Sequence, residues 1–164
     1  MPIITLASSF ILKGGVDLNQ ASVLFVVSGI IAVAVTAWLL AIRITLNPIL
    51  LASNIWLIFG AAAFGIPVLP LAHLFAETNA ALLFAAVLAV GIAQTTLRIS
   101  TGFIGMDNAP PQTIRKLSFT LLAVAALAFC WAVIFRNNIR IGGGIPFIVL
   151  NVTRRVLIKR GGAR

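Results

Sequence analysis

Residues 21–42 read ASVLFVVSGIIAVAVTAWLLAI, a run without a single charged side chain. Three more stretches share this property, namely residues 44–71, 79–97 and 117–135. A helix of roughly 20 mostly apolar residues crosses the ~30 Å hydrocarbon layer of a bilayer. In lipid, helices and closed barrels are the structures that satisfy every backbone group internally. The sequence therefore predicts an all-α fold, a polytopic membrane helical bundle.

The overall composition indicates that little of the chain lies outside the membrane. Of the 164 residues, 61% are hydrophobic and 9% are charged, whereas soluble domains carry about 25% charged residues. We therefore expect a single membrane domain over residues 1–164. Its transmembrane helices are predicted at about residues 21–42, 47–66, 79–97 and 117–135.

Asparagine and proline residues mark the ends of the second span. Asn47 and Pro48 are typical of a helix start, with Asn47 as the N-cap and Pro48 at the first helical position. Pro67 and Pro70 are expected to kink or end the span, because each removes a backbone donor and clashes with the preceding turn. A short connection that contains His73 and Glu77 is then predicted before the third span, which begins at Asn79.

The third and fourth spans are joined by the longest predicted connector, residues 100–112. It contains Gly102, Gly105 and the Pro110-Pro111 pair, which are typical loop residues. We expect this segment to be a polar loop.

The C-terminal part of the chain is predicted to hold a short fifth segment. Residues 141–153 lack charge but begin with a triple glycine, and residues 154–164 form a basic tail. Its first twelve residues, 141–152, cover only ~18 Å as an ideal helix, so we expect a partly inserted segment. A crossing would bring the tail to the face that carries the cations before the fourth span, which agrees with the positive-inside rule.

The net charge of +9 is explained by the membrane. The Lys and Arg residues stand at the span ends and in the tail, where they fit the positive-inside rule and contact with anionic headgroups. No interleaving of basic and aromatic residues accompanies the charge, so no nucleic-acid partner is expected. We expect a multi-pass protein of the bacterial inner membrane with a cytoplasmic C-terminal tail.

Small residues predict where the helices pack. In lipid, helices associate through close backbone contact, which small side chains permit. On the third span an alanine recurs every four residues and forms one stripe, made up of Ala81, Ala85, Ala89 and Ala93. The stripe is expected to pack within the bundle, against a second copy of the chain, or against other membrane proteins.

The four predicted spans contain no Asp, Glu, Lys, Arg or His residue, which disfavours proton- or ion-coupled transport. The strongest polar groups there are Asn54, Gln94 and Thr95. Such side chains are expected to form interhelical hydrogen bonds. Lining of a permeation path is the alternative.

Catalytic and metal-binding chemistry is sparse. His73 and Glu77 are four residues apart and would share one face of a helix, where they form either an interfacial pair or a metal, proton or quinone site. Metal sites generally need three or four ligands, so no metal or cofactor is predicted. Cys130 stands alone in an apolar span, without a neighbouring base or cation that would activate a thiol, and we predict no catalytic residue and no enzyme.

Four short sequence features follow one another, at characteristic spacing, over residues 21–140. They are Phe59-Gly60 late in the second span, Leu83-Phe84-Ala85 in the third, Arg115-Lys116-Leu117 after a proline-containing loop, and Asn137-Asn138-Ile139 after the fourth. In this layout the chain resembles the bacterial intracellular septation protein A family. The resemblance implies a small inner-membrane protein with about five spans, linked to septation and cell-wall synthesis through membrane partners. It transfers no functional residue.

Three functional expectations follow. The first is a non-catalytic inner-membrane protein that acts through helix–helix contacts, either as an envelope or septation-type factor or as an accessory subunit. The second is a small oligomeric channel or transporter for a small solute. The third is a membrane subunit that holds a cofactor or a lipid.

Overall fold

The structure, a computed structural model, describes residues 18–42, 47–65, 69–97, 101–106, 109–136, 138 and 140–162. For some residues inside the helices it describes the backbone alone, and His73 and Glu77 are among them. The described residues form five long helices and no strand. The helices are α1 (Leu18–Ala41), α2 (Pro48–Gly65), α3 (Leu69–Leu97), α4 (Pro111–Ile134) and α5 (Ile145–Gly162).

Each of the five helices contains a segment long and apolar enough to cross a bilayer. These segments are Ser22–Ala41, Pro48–Gly65, Ala80–Leu97, Pro111–Ile134 and Ile141–Gly161, the last of which includes the turn before α5. The shortest of them have 18 residues and span about 27 Å as ideal helices. The predicted all-α membrane bundle is therefore confirmed, and the protein is a multi-pass membrane protein.

Helices α1 and α2 pack closely because glycine stands at their contact. A Cβ added at Gly29 would overlap the Cβ of Ala61 and would lie 3.1 Å from the carbonyl oxygen of Leu57. Close backbone approach of this kind stabilises helix pairs in lipid.

The start of α2 is the one that the sequence predicts. The Asn47 side-chain oxygen accepts the Ile49 N–H at 3.1 Å, and Pro48 is the first helical residue.

An aromatic cluster ties α1, α2 and α3 together. The Phe25 ring lies 5.3 Å from Trp56, 5.1 Å from Phe64 and 5.8 Å from Phe75, measured between ring centroids. Gly60 leaves the space that Phe25 fills, since a Cβ there would overlap that ring. Edge-to-face and offset-stacked rings at these distances attract each other beyond their buried area.

Helix α3 begins earlier than the sequence predicted. It starts at Leu69, so His73 and Glu77 lie within a helix, and the prediction that they fall in a connection is wrong. Pro70 is only the second residue of α3. The first four N–H groups of a helix have no intrahelical acceptor, so a proline there sacrifices no hydrogen bond.

The segment from residue 101 to residue 106, here named the buried loop, is not the polar connector that the sequence predicted. Phe103 and Ile104 are both fully buried. Gly102 and Gly105 have φ angles of +56° and +67°, a conformation that glycine adopts without strain. The two left-handed residues fold the loop back on itself and direct its apolar side chains into the bundle.

Helix α5 runs antiparallel to α4 over the length of the bundle. At its start, a Cβ added at Gly143 would lie 3.3 Å from Ala80, near the beginning of the third span. At its end, a Cβ added at Gly161 would lie 2.8 Å from Leu117 in the second turn of α4. The fifth helix is therefore longer than predicted. Residues that were expected to form a basic tail continue the helix to Gly162.

A π-helical turn over Arg140–Gly144 leads into α5. Its Gly142 N–H donates to the Asn138 carbonyl at 2.7 Å, and the Trp131 indole N–H donates to the Ile141 carbonyl at 2.9 Å. A Cβ at Gly142 would lie 2.7 Å from the Phe135 carbonyl oxygen. The triple glycine therefore includes a position that tolerates no side chain.

Candidate functional site

Asn54 forms the interhelical hydrogen bond that its position predicted. It is buried, and its Nδ2 donates to the Thr36 hydroxyl oxygen on α1 at 2.8 Å. The neighbouring Ser53 donates its hydroxyl to the Ile49 carbonyl of its own helix at 2.9 Å. Hydrogen bonds of this kind between membrane helices contribute about 0.6–2 kcal/mol. Both polar groups therefore stabilise helix structure and packing.

Of the three residues predicted to line a permeation path, Thr95 alone lines the cleft between α3 and α4. Its hydroxyl donates to the Gly91 carbonyl one turn earlier, at 2.7 Å. Gln94 is half-buried on α3. The cleft therefore contains one of the three residues that were predicted to line a permeation path.

The cleft that Thr95 lines, here named the α3–α4 cleft, has a volume of about 290 Å³. It lies where α3 ends and α4 begins, next to the buried loop, whose Gly102 forms part of its wall. Its walls are formed by Thr95, Thr96, Gly102, Ile114, Arg115, Ser118 and Phe119. The cleft therefore combines one guanidinium group and three hydroxyl groups with an apolar wall.

The hydroxyl groups of the cleft differ in what they leave free. Thr96, like Thr95, donates its hydroxyl to its own helix, here to the Ile92 carbonyl at 2.9 Å. Ser118 is fully buried, and its oxygen accepts the Ile104 N–H at 3.3 Å, which anchors the buried loop. The two threonines therefore present acceptor lone pairs to the cleft, because their protons are engaged by the backbone.

Arg115 is the cation of the cleft. Its side chain is exposed, and its guanidinium carbon lies 5.8 Å from the centroid of the Phe119 ring. A cation over a ring face within about 6 Å is attracted by the ring electrons. Phe119 thereby holds the guanidinium beside the cleft while leaving its N–H groups available.

Most described cations lie at the same end of the bundle as the cleft, here named the basic end. There α3 ends, α4 begins and α5 ends. The cations are Arg115, Lys116, Arg154, Arg155, Lys159 and Arg160, and Arg136 is the one described cationic side chain beyond the far end of α4. Such asymmetry orients helical membrane proteins.

Arg154 lies inside the bundle rather than in a solvated tail. Its side chain is half-buried, and a Cβ added at Gly105 would lie 3.3 Å both from its Nη2 and from Pro48. The guanidinium thus lies where α2, the buried loop and α5 meet. Its Nε is buried without a hydrogen-bond partner among the described residues. The sequence did not reveal this role, because it offered only a run of basic residues.

The alanine stripe of α3 leaves the bundle as the helix proceeds. Ala81 is buried and Ala85 is half-buried, whereas Ala89 and Ala93 are exposed. Only the first half of the stripe packs within the chain. The second half presents small side chains at the outer surface of a membrane-spanning helix.

The predicted His73 and Glu77 pair keeps its spacing within α3, but the two side chains fall outside the described part of the structure. Among the described residues, no group of three His, Cys, Asp or Glu side chains could hold a metal ion. Cys130 is exposed on α4.

No protein-family model, no curated protein and no solved structure significantly matches this chain.

Proposed function

We propose that this protein is a non-catalytic membrane protein that acts through helix–helix contacts with a second copy or with other membrane proteins. The observation that carries the proposal is the exposed half of the alanine stripe, at Ala89 and Ala93. Small side chains on a spanning helix allow another helix to approach its backbone closely. An envelope or septation-type factor and an accessory subunit of a membrane complex both act in this way.

The polar interior supports contact rather than transport. A small-solute channel would use Asn54 with Gln94 and Thr95 as its lining. Asn54 is instead bonded to Thr36, and Thr95 to its own helix. The third alternative, a subunit that holds a lipid, is favoured by the α3–α4 cleft and is compatible with a contact function.

A bulky residue on the exposed stripe should disrupt association. We expect Ala93→Leu to weaken self-association or partner binding by about 1 kcal/mol, or about fivefold, because the larger side chain separates the two backbones. The measurement is the fraction of complex recovered in mild detergent, together with cross-linking in the native membrane. Cross-links to identical chains or to a different protein would identify the occupant.

The matched control is Ala126→Leu, which makes the same change at an exposed alanine of α4. It should leave the recovered complex unchanged. An equal loss in both variants, or a lone wild-type monomer under every gentle condition, would contradict the proposed contact face.

We further propose that the basic end faces the cytoplasm of a bacterial inner membrane. Cytoplasmic loops of membrane proteins are enriched in Lys and Arg, and the described cations are concentrated at this end. The end of α5 belongs to the same end of the bundle, so the proposal includes a cytoplasmic C-terminal segment.

Reporter fusions test this orientation. Green fluorescent protein fused to Arg164 should fluoresce, and alkaline phosphatase at the same position should be inactive, because the phosphatase folds only outside the cytoplasm. The reverse pattern is expected for fusions after Asn138, since α5 crosses back from there. Identical results at the two positions would show that α5 does not cross.

A further inference from the structure

We propose that the α3–α4 cleft binds the headgroup of an anionic phospholipid whose headgroup carries hydroxyl groups, as in phosphatidylglycerol. The inference goes beyond the proposed contact function, because it rests on a different surface. It would stand even if the alanine stripe had no partner.

The position of the cleft matches the level of lipid headgroups. Arg115 is the fifth residue of α4, about 6 Å along the axis from the helix start. The basic end as a whole carries most of the described cations. Basic pockets between membrane helices on such a face are typical sites for anionic headgroups.

Arg115 supplies the group that a phosphate requires. Its guanidinium has a planar set of N–H donors that matches two phosphate oxygens at once. The contact with Phe119, at 5.8 Å, restricts the side chain and reduces the entropy that it loses on binding. The same arrangement leaves the guanidinium exposed to a ligand.

The threonines argue for a ligand with hydroxyl groups rather than for a bare phosphate. Both Thr95 and Thr96 donate to backbone carbonyls and so offer only acceptor lone pairs to the cleft. A fully ionised phosphate has no proton to donate to them. A glycerol headgroup places donor hydroxyls beside its phosphate and satisfies both kinds of group.

The size and surroundings of the cleft fit a headgroup whose acyl chains lie outside. Its volume of about 290 Å³ is at the lower limit of small-molecule pockets, which begin near 300 Å³. Apolar side chains next to it are exposed on both helices, with Ile92 at 55% and Phe119 at 53%. Acyl chains of a bound lipid would run down this surface into the bilayer.

The test is lipid retention by the purified full-length chain, measured by native mass spectrometry from micelles doped with phosphatidylglycerol, phosphatidic acid or phosphatidylcholine. We expect the wild-type chain to retain phosphatidylglycerol at least fivefold better than phosphatidylcholine. Arg115→Gln should remove most of this preference. Lys116→Gln removes the same charge from the adjacent exposed residue, which does not line the cleft, and should retain it.

Two further arms separate the lipid from other sources of phosphate. Thr95→Val should weaken phosphatidylglycerol retention about threefold and leave phosphatidic acid unchanged, because it deletes only the hydroxyl acceptor. Excess inorganic phosphate should not displace the lipid. Equal losses in Arg115→Gln and Lys116→Gln, or displacement by inorganic phosphate, would overturn the proposal.

Discussion

Replacing Phe103 by alanine is expected to lower the free energy of unfolding by about 3 kcal/mol, which is the lower end of the range for replacing a buried phenylalanine by alanine. Phe103 is fully buried, and its ring lies against Gly91 of α3. The lower end applies because the unfolded chain stays in detergent or lipid, which solvates an apolar ring better than water does. The remaining loss of stability comes from the cavity that the substitution leaves between the buried loop and α3.

The measurement is unfolding of the purified protein by sodium dodecyl sulfate in mixed micelles, followed by tryptophan fluorescence. Phe59→Ala is the matched control, because Phe59 lies on α2 with 62% of its surface exposed. It should change stability by less than about 0.5 kcal/mol. Equal effects at the two positions would mean that the buried loop does not pack in the membrane-embedded protein.

Adding one methyl group at Gly29 is expected to separate α1 from α2. Gly29→Ala should destabilise the protein by about 1–3 kcal/mol, the usual range for overpacking. The new Cβ overlaps the Cβ of Ala61. Ala61→Gly removes that obstacle, so the double variant Gly29→Ala/Ala61→Gly should recover at least half of the loss.

The same unfolding measurement serves here, with Gly65→Ala as the control. Among the described residues, a Cβ at Gly65 would meet only a Val26 methyl, at an ordinary contact distance of 3.7 Å. Since alanine favours helix over glycine by up to about 1 kcal/mol, this variant should be neutral or slightly stabilising. Failure of Ala61→Gly to rescue Gly29→Ala would show that the two residues do not meet across the helix pair.

The membrane architecture was predictable because hydrocarbon imposes a strict rule on sequence. A run such as residues 21–42 has few structures open to it in lipid, since every backbone group must be paired. The start of α2 was predictable for a local reason: Asn47 and Pro48 satisfy and tolerate the unpaired groups of a helix N-terminus.

The buried loop could not be predicted from local sequence. Its glycines are equally typical of an exposed turn, and only the positive φ angles of Gly102 and Gly105 fold its apolar residues inward. The full length of α5 was hidden for another reason. Charged residues suggested a solvated tail, but long cationic side chains extend towards a membrane surface while their stems stay apolar.

Of the candidate sites, the hydrogen bond of Asn54 could be predicted from the sequence, and the α3–α4 cleft could not. Asn54 was recognised because an amide in lipid needs a partner. The α3–α4 cleft was missed, since its walls come from three segments that are separated in the chain, at Thr95, Gly102 and Arg115. Two adjacent threonines at the end of a span, followed by a cation at the start of the next, are the only local signal that could have indicated it.

The cations of α5 also have a consequence for biogenesis. Arg154 and Arg155 interrupt its hydrophobic run, and an arginine within a spanning segment opposes release of the helix into the bilayer, by up to about 2.5–3.5 kcal/mol at the helix centre. Within the protein, Arg154 lies beside Gly105, which in turn adjoins Pro48, and both residues belong to parts of the chain made earlier. We therefore expect α5 to enter the membrane only after the preceding helices have assembled, and we expect it to remain outside the bilayer in a chain from which those helices have been deleted.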